Sequence, residues 1–303
     1  MKFAAIDIGS NAIRLLFENV YETDNGPVFY KDEIVRVPLR LGEEAFTLGY
    51  FSKQKIDLLV KTMEAMRNLI EVHNVIAYRA VATSAMRDAA NGAEVIAMIK
   101  NKTGINIEII SGDEESKFIL QYPLQQSHLN PLGDYYYIDV GGGSTELAII
   151  SNGKLLHNKS FNIGTLRILN NQVTDDSWKE MMLWLQKNKT DLPDIAAIGV
   201  GGNINKVMKM YGKPGKMFIT LAVLKHVASD LEKLTLTERM IELGLKPDRA
   251  DVIIPALKIY INVLKWAGLD KIFIPKQGLS DGIISQLYSD YISSKEISER
   301  KKS

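Results

Sequence analysis

The stretch IDIGSNAIRLLF at residues 6–17 is matched in pattern by IDVGGGSTELAII at residues 138–150. In both, an apolar strand ends in an aspartate, Asp7 or Asp139, then a β-branched residue and a glycine follow, and a leucine stands eight positions after the aspartate. Glycine permits a tight turn because it takes backbone angles that other residues avoid. The turn alone does not need the aspartate or the small polar residues beside it. Two copies of one strand–turn–strand device predict a duplicated architecture.

The hydrophobic pattern agrees with this duplication. Residues 3–8, 12–20 and 27–40 read as an antiparallel run of strands, and from Ser52 the apolar residues recur at helical spacing. Strands and helices then alternate, and the same order restarts after residues 121–134, a segment with two prolines and a glycine. The pattern therefore predicts two α/β lobes with mixed sheets and a ligand-binding cleft between them. We expect a first lobe at 1–124 and a second at 125–303, whose closing helix can return to the first.

The composition excludes several classes of protein. The chain has 303 residues, a formal net charge of +1 and no cysteine. A charge near zero argues against general binding to nucleic acid or to a membrane surface, and no stretch is long and apolar enough to predict a transmembrane helix. The absence of cysteine excludes disulfides and thiolate metal sites and is compatible with the cytoplasm, which is the location we expect.

The two glycine-rich turns are candidate phosphate sites. Backbone N–H groups in such turns can converge on an anion, and hydroxyl and amide donors stand beside both turns. The alternative is that the glycines only permit hairpins and that the aspartates cap turns. The candidate phosphate-binding residues are Gly9, Ser10 and Asn11 in the first turn and Gly141, Gly142, Gly143, Ser144 and Thr145 in the second.

Carboxylates at the ends of these strands are candidate metal ligands. Asp7 and Asp139 each end an apolar strand, and Glu146 stands on the far side of the second turn. Carboxylates that face phosphate-binding turns suit Mg²⁺ (or Mn²⁺), because Mg²⁺ binds through one or two carboxylates together with phosphate oxygens. Alternatively, Glu146 lies on a solvent face of its strand.

The acidic cluster SGDEES at 111–116 begins a predicted helix. Ser111 and Glu114 have the spacing of a capping box, so the cluster can be explained as a well-capped helix start. Glu115 has no part in such a cap. A carboxylate without a capping role near metal and phosphate is a candidate general base for water.

Two further groups extend the candidate site. Arg87 follows a buried strand and small polar residues, and arginine suits bidentate phosphate contact, although a surface ion pair with Asp88 is the simpler explanation. Gly201 and Gly202 lead from a strand into a helix, whose N-terminus can face an anion.

Four motifs in this order resemble the exopolyphosphatase and guanosine pentaphosphate phosphohydrolase (Ppx/GppA) family, which belongs to the actin, sugar kinase and Hsp70 superfold. The motifs are AAIDIGSNAIRLLF (4–17), ATSAMRDAANG (82–92), EIISGDEES (108–116) and YIDVGGGSTELAII (137–150). Later segments match the family less closely: GVGGNI (199–204) and GLSDG (278–282) stand where the family commonly has GTGGTA and GLREG. These departures leave open which of the family's contacts the second lobe makes.

The resemblance implies two ribonuclease-H-like (actin-like ATPase) lobes and a Mg²⁺-dependent hydrolase of terminal phosphoanhydrides. Its substrate is then inorganic polyphosphate or guanosine pentaphosphate. By the same resemblance Glu115 is the proposed base, Asp139 and Glu146 are ligands of metal or of phosphate-bound water, and Asn11 and Arg87 bind phosphate. A homodimer is compatible with the sequence but nothing in the pattern requires it.

Two other functions remain open on the same superfold. An ATP-dependent small-molecule kinase uses the same pair of phosphate turns but needs an acceptor substrate. A non-enzymatic, actin-like nucleotide-binding protein needs no general base. Phosphate release without an acceptor separates hydrolysis from both.

Overall fold

The computed structural model describes residues 1–121, 129–130, 132–189 and 195–300. The chain forms two compact units, one of Met1–Gln126 with Gly278–Ser303 and one of Ser127–Gln277. The boundary predicted at 124/125 lies outside the described residues. Among the described helices, none has both the length and the apolar character needed to cross a membrane.

The strands are β1 (Lys2–Ile8), β2 (Ile13–Thr23), β3 (Gly26–Val37), β4 (Ala77–Ala82), β5 (Ile107–Ile109), β6 (Tyr135–Val140), β7 (Thr145–Ser151), β8 (Lys154–Phe161), β9 (Ala196–Val200), β10 (Phe218–Thr220) and β11 (Lys271–Phe273). The helices are α1 (Leu41–Thr47), α2 (Lys53–His73), α3 (Ser84–Asp88), α4 (Gly92–Thr103), α5 (Gly112–Gln121), α6 (Thr165–Leu169), α7 (Asp175–Lys187), α8 (Gly202–Tyr211), α9 (Leu221–Lys233), α10 (Leu236–Ile241), α11 (Pro247–Ala250), α12 (Ile253–Ala267) and α13 (Leu279–Arg300).

The first unit is built on a five-stranded sheet in the order β3-β2-β1-β4-β5. β1, β2 and β3 are antiparallel neighbours, whereas β4 and β5 run parallel to β1. Antiparallel neighbours can be joined by a tight turn, while a parallel strand needs a crossover, which α2 supplies between β3 and β4. The buried face of α2 carries the periodic apolar residues that predicted this helix, namely Leu59, Val60, Met63, Met66 and Ile70.

The second unit repeats this plan in a six-stranded sheet, β10-β11-β9-β6-β7-β8. β6, β7 and β8 form the antiparallel run, and β9 and β11 continue parallel to β6. The core packs on the apolar helix α12, in which ten residues are buried. The prediction of two ribonuclease-H-like lobes with mixed sheets is therefore confirmed. The short edge strand β10 has no counterpart in the sequence-based prediction.

The last helix, α13, belongs to the first unit although it follows the second in the chain. Its side chains Tyr288 and Tyr291 lie edge-on to the ring of Phe3 on β1, with ring centroids 6.3 and 5.9 Å apart. Aromatic pairs of this kind add to the stabilisation from burial. These contacts fix α13 on the sheet of the first unit.

A buried pair of acids lies near the start of α13. Glu18 on β2 is completely buried, and burial, followed by the nearby carboxylate of Asp281, raises its pKa to about 9. Lys31 on β3 forms an ion pair with Asp281 and partly opposes this shift. The raised pKa favours the protonated form of Glu18 in the folded protein at neutral pH.

We expect Glu18→Gln to stabilise the protein at pH 8. Between the ordinary Glu18 pKa of 4.5 and the folded value of about 9, the folded state binds more protons than the unfolded state. Stability consequently falls as pH rises through this window. Glutamine removes that loss, so the midpoint of thermal unfolding should rise by roughly 2–4 °C for each kcal/mol gained. Scanning calorimetry at pH 8 and pH 4 checks this.

The control is Glu64→Gln on the exposed side of α2. The difference in unfolding midpoint between Glu18→Gln and wild type should shrink toward pH 4, where Glu18 is protonated in the folded state and mostly protonated in the unfolded state. An unchanged or lower midpoint for Glu18→Gln at pH 8 contradicts the assignment of a protonated Glu18.

Candidate active site

The first turn, Gly9–Ala12, joins β1 to β2 in the first unit. The N–H of Gly42 donates to the carbonyl of Ser10 at 2.8 Å, and the N–H of Arg40 donates to the carbonyl of Asn11 at 3.0 Å. Because a trans peptide points its N–H opposite to its C=O, the N–H groups of Asn11 and Ala12 face away from these donors. The turn is thus held from one side and presents donors on the other.

The carboxyl ends of three parallel strands lie at one edge of the first sheet. β1, β4 and β5 are parallel, so the first turn, α3 and α5 all begin at the same edge. The hydroxyls of Ser10 and Ser84 are 2.9 Å apart and buried, which links the first turn to the start of α3. Loops at the carboxyl ends of parallel strands are where α/β proteins bind ligands. Within this unit the predicted Ser10, Arg87 and Glu115 all lie on the segments that follow these three strands.

Arg87 lies on α3 and is tethered to the segment before α5. Its Nη1 donates to the carbonyl of Ile110 at 2.7 Å, and its Nε lies 4.0 Å from Asp88. The bond to Ile110 uses one of the five N–H groups of the guanidinium. The contact between Arg87 and Asp88 is long for an ion pair, so it gives only weak support to the simpler explanation of Arg87. A phosphate-binding role for Arg87 stays a prediction.

The two glutamates at the start of α5 have different surroundings: Glu114 caps the helix and Glu115 does not. Glu114 accepts from the N–H of Ser111 at 2.8 Å and from its hydroxyl at 2.9 Å, and the Ser111 hydroxyl accepts from the N–H of Glu114 at 3.2 Å. These bonds hold the pKa of Glu114 below its usual value. The capping box is confirmed. Glu115 lies outside it, and its side chain is buried.

Asp7 has an ion-pair partner inside the first unit. Asp7 and Arg14 stand directly opposite on β1 and β2, and Nη1 of Arg14 donates to Oδ2 of Asp7 at 2.6 Å. The guanidinium supplies the positive charge that a buried carboxylate needs. The ion pair already engages this carboxylate, so we place the proposed cation at Asp139 and Glu146 instead, and a metal-binding role for Asp7 stays a prediction.

Asp139 and Glu146 occupy the equivalent positions of the second unit. They stand directly opposite on β6 and β7, and both are buried. Side chains of such a cross-strand pair point to the same face, so two carboxylates lie side by side where the first unit has a carboxylate and an arginine. The hydroxyl of Ser160 donates to Oε1 of Glu146 at 2.9 Å and orients it. Glu146 thus does not lie on a solvent face.

Two adjacent buried carboxylates are costly unless a cation or a proton lies near them. Within the described ranges, no cluster of three or more His, Cys, Asp or Glu side chains is arranged to hold a metal. A cation at Asp139 and Glu146 would thus take its remaining ligands from water and substrate. This donor set fits Mg²⁺ or Mn²⁺, which accept a few carboxylates together with water and phosphate oxygens.

The second turn is the glycine loop, Gly141–Ser144. Its three glycine carbonyls, in chain order, accept from the N–H of Thr165 at 3.0 Å, the N–H of Leu166 at 2.8 Å and Nε of Arg167 at 2.8 Å. The N–H groups that follow these carbonyls, from Gly142 to Ser144, consequently point away from α6. Consecutive N–H groups with a common direction are suited to binding phosphate.

The hydroxyl of Thr145, a predicted phosphate-binding residue, already has a partner within the second unit. Its hydroxyl donates to the carbonyl of Ile163, and the residue is fully buried. A threonine hydroxyl has a single hydrogen to donate. The Thr145 hydroxyl therefore holds the segment before α6 in place, and a phosphate-binding role for this residue stays a prediction.

The turn at Gly201 and Gly202 packs against Asp139. Gly201 has φ of 113°, and a Cβ there would lie 3.4 Å from Oδ1 of Asp139 and 3.1 Å from the carbonyl of Val140. Both the backbone angle and the space require glycine. The turn thus brings the N-terminus of α8 next to the carboxylate pair within the second unit.

Several site residues were not predicted from the sequence. Tyr260 donates to the carbonyl of Val200, and its pKa is raised well above its usual value by burial and by the charge of Asp139. Arg249 donates to the carbonyl of Gly202. Arg14 could have been found by aligning the two repeats, because it stands where the second repeat has Glu146. The others come from elements distant in the chain.

Comparison with known proteins identifies the family. Residues 31–290 match the model of the Ppx/GppA phosphatase family. A bifunctional 3-dehydroquinate synthase/phosphatase from Fusobacterium nucleatum is 28% identical over 89% of this chain and 44% of its own length. Exopolyphosphatase 1 from Mycobacterium tuberculosis is 22% identical over 94% of this chain and 87% of its own length.

Two further comparisons cover nearly the whole chain. A guanosine-5'-triphosphate,3'-diphosphate pyrophosphatase from Aliivibrio fischeri is 28% identical over 96% of this chain, which spans 61% of that protein. The crystal structure of an exopolyphosphatase from Cytophaga hutchinsonii superposes with a TM-score of 0.80 at 22% identity, covering 96% of this chain and 98% of the other, and shows the same fold. The family predicted from the four motifs is confirmed: the chain belongs to the Ppx/GppA phosphatase family.

Proposed function

We propose that this protein hydrolyses the terminal phosphoanhydride of inorganic polyphosphate by attack of water, with Mg²⁺ or Mn²⁺ as cofactor. The observation that carries the proposal is the buried pair Asp139 and Glu146 beside a glycine loop whose N–H groups share one direction. Such a site suits a phosphate chain accompanied by a divalent cation. Membership of a phosphatase family favours hydrolysis over transfer to an acceptor.

The second unit binds the phosphates in this proposal. The N–H groups of Gly142, Gly143 and Ser144 donate to the oxygens of the terminal phosphates, and the turn at Gly201 and Gly202 adds the N-terminus of α8. Asp139 and Glu146 hold the divalent cation, which when bound neutralises phosphate charge. Because the donors are fixed before substrate arrives, little reorganisation is needed during the reaction.

The resemblance to the family assigns the activation of water to Glu115. Glu115 takes a proton from water, the oxygen of that water attacks the terminal phosphorus, and the bond to the bridging oxygen breaks. The products are orthophosphate and a phosphate chain shortened by one unit. Asn11 and the remaining donors of Arg87 bind the phosphate oxygens. Positioning and stabilisation of charge are the main requirements of phosphoryl transfer.

Guanosine pentaphosphate is the alternative substrate. Its 5'-terminal phosphoanhydride is chemically the same bond, and one relative of this chain is a guanosine-5'-triphosphate,3'-diphosphate pyrophosphatase. We place polyphosphate first because the mycobacterial exopolyphosphatase matches the chain over 87% of its own length, against 61% for the pyrophosphatase.

A comparative assay tests whether polyphosphate is preferred to guanosine pentaphosphate. Orthophosphate release is measured from long-chain polyphosphate and from guanosine pentaphosphate, with Mg²⁺ and without an acceptor. We expect turnover of both and the higher kcat/KM for polyphosphate. A higher kcat/KM for the nucleotide assigns the alternative activity, and no release from either substrate contradicts the proposed hydrolysis.

A further inference from the structure

We propose that Arg167 is a positioning residue that fixes the glycine loop in its phosphate-binding conformation. This inference rests on the proposed function of the loop. Arg167 lies on α6, a short helix that contributes neither carboxylate nor water-activating group to the proposed mechanism. Its Nε contacts the backbone of the loop, and the proposed effect on the reaction passes through that contact.

The segment that holds the loop is packed directly against it. A Cβ at Gly164 would lie 2.4 Å from the carbonyl oxygen of Gly142 and 2.4 Å from the carbonyl carbon of Gly143. Real side chains do not approach so closely, so the segment needs glycine at this position. The close approach lets Thr165, Leu166 and Arg167 bind the three loop carbonyls in succession.

Arg167 is the member of this set that acts through its side chain. The carbonyls of Gly141 and Gly142 are held by backbone N–H groups, whereas the carbonyl of Gly143 is held by Nε of Arg167 at 2.8 Å. In the first unit, backbone N–H groups hold the carbonyls of both Ser10 and Asn11. The side-chain anchor is therefore a feature of the second unit that substitution can remove.

Removing this anchor should loosen one particular peptide. The peptide between Gly143 and Ser144 carries the carbonyl that Arg167 binds and the N–H that faces the opposite way. Glycine restricts the backbone less than any other residue, so without the anchor this peptide can rotate and turn its N–H away from phosphate. A hydrogen bond from a charged donor is stronger than one between neutral groups, which makes arginine an effective anchor.

The test compares Arg167→Met with Arg167→Lys. Methionine removes the donor, whereas lysine keeps a charged donor on a flexible stem. We expect Arg167→Met to speed amide exchange in peptides covering 141–146 and to lower kcat/KM for polyphosphate by about 10–100-fold, the range found when a supporting partner of a site is removed. In Arg167→Lys, amide exchange and kcat/KM should both stay close to their wild-type values.

A matched control comes from the same unit. Arg239 also donates from its side chain to backbone carbonyls, those of Leu231 and Ala250, and it does not contact the loop. Arg239→Met should leave amide exchange in residues 141–146 as in wild type. It therefore separates loss of the loop anchor from general loosening of the unit.

The outcomes separate this inference from the proposed function. If loop exchange in Arg167→Met equals that of wild type, Arg167 does not position the loop, whatever happens to activity. If exchange rises and kcat/KM is unchanged, the positioning does not serve catalysis and the inference is overturned. If the wild type releases no phosphate, the proposed function fails, while the exchange measurement still decides whether Arg167 holds the loop.

Discussion

Replacing Glu115 by glutamine is expected to lower the rate of phosphate release by about 10²–10⁴-fold, the usual contribution of a general base. Glutamine keeps the size of the side chain but cannot accept the proton of the attacking water. Glu115 is buried at the start of α5, next to the segment that Arg87 contacts, and the neighbouring glutamate already serves the helix cap. The measurement is steady-state orthophosphate release from polyphosphate at saturating Mg²⁺.

The adjacent substitution Glu114→Gln is the matched control for this experiment. Glutamine can still accept the bond from the N–H of Ser111, so the cap of α5 is retained in part and turnover should stay near that of wild type. Mn²⁺ affinity and the unfolding temperature of Glu115→Gln should also be unchanged. Turnover of Glu115→Gln within a few-fold of wild type removes Glu115 from the proposed role.

Replacing Asp139 by asparagine is expected to weaken the binding of Mn²⁺ to the free protein and to reduce turnover. Loss of a ligand should exceed the roughly 10–100-fold cost of removing a supporting partner. In metal-free protein the same change should raise the unfolding temperature, because it ends the repulsion between two buried carboxylates. Titration followed by electron paramagnetic resonance of Mn²⁺, together with calorimetry, measures both effects.

The equivalent change in the first unit should act in the opposite direction. Asp7→Asn breaks the ion pair with Arg14, so it should lower the unfolding temperature and leave Mn²⁺ affinity unaltered. The two aspartates are therefore distinguished by the sign of their effect on stability. Unchanged Mn²⁺ binding in Asp139→Asn, or a loss of metal-free stability in that variant, argues against a cation site at the carboxylate pair.

Sequence reasoning succeeded where a pattern is local and repeated. The spacing of apolar residues in α2 and the restart of the strand order at β6 follow from periodicity and determine the two-lobe plan. Some short elements were not predicted, among them α3 with five residues and the edge strand β10 with three. The third strand, predicted to residue 40, ends at Val37, and Arg40 adopts a left-handed backbone before α1 begins.

In the candidate site too, features set by the local sequence were predicted and those set by distant contacts were not. Glycines, aspartates and the capping box were visible because each is set by neighbours a few residues away. The hydrogen bonds that the side chains of Thr145, Arg167 and Tyr260 donate were not visible, because each acceptor lies 18 to 60 residues away in the chain. Asp7 and Asp139 look alike in sequence, but the residue across the strand, Arg14 or Glu146, gives them opposite surroundings.

The proposed function depends on attack of water at the terminal phosphorus. Its most direct test is hydrolysis of polyphosphate in water enriched in ¹⁸O, with Mg²⁺ and no acceptor, followed by mass spectrometry of the released orthophosphate during a single turnover. We expect each released orthophosphate to carry one oxygen from solvent. Orthophosphate without solvent oxygen, or no release until an acceptor is added, contradicts it.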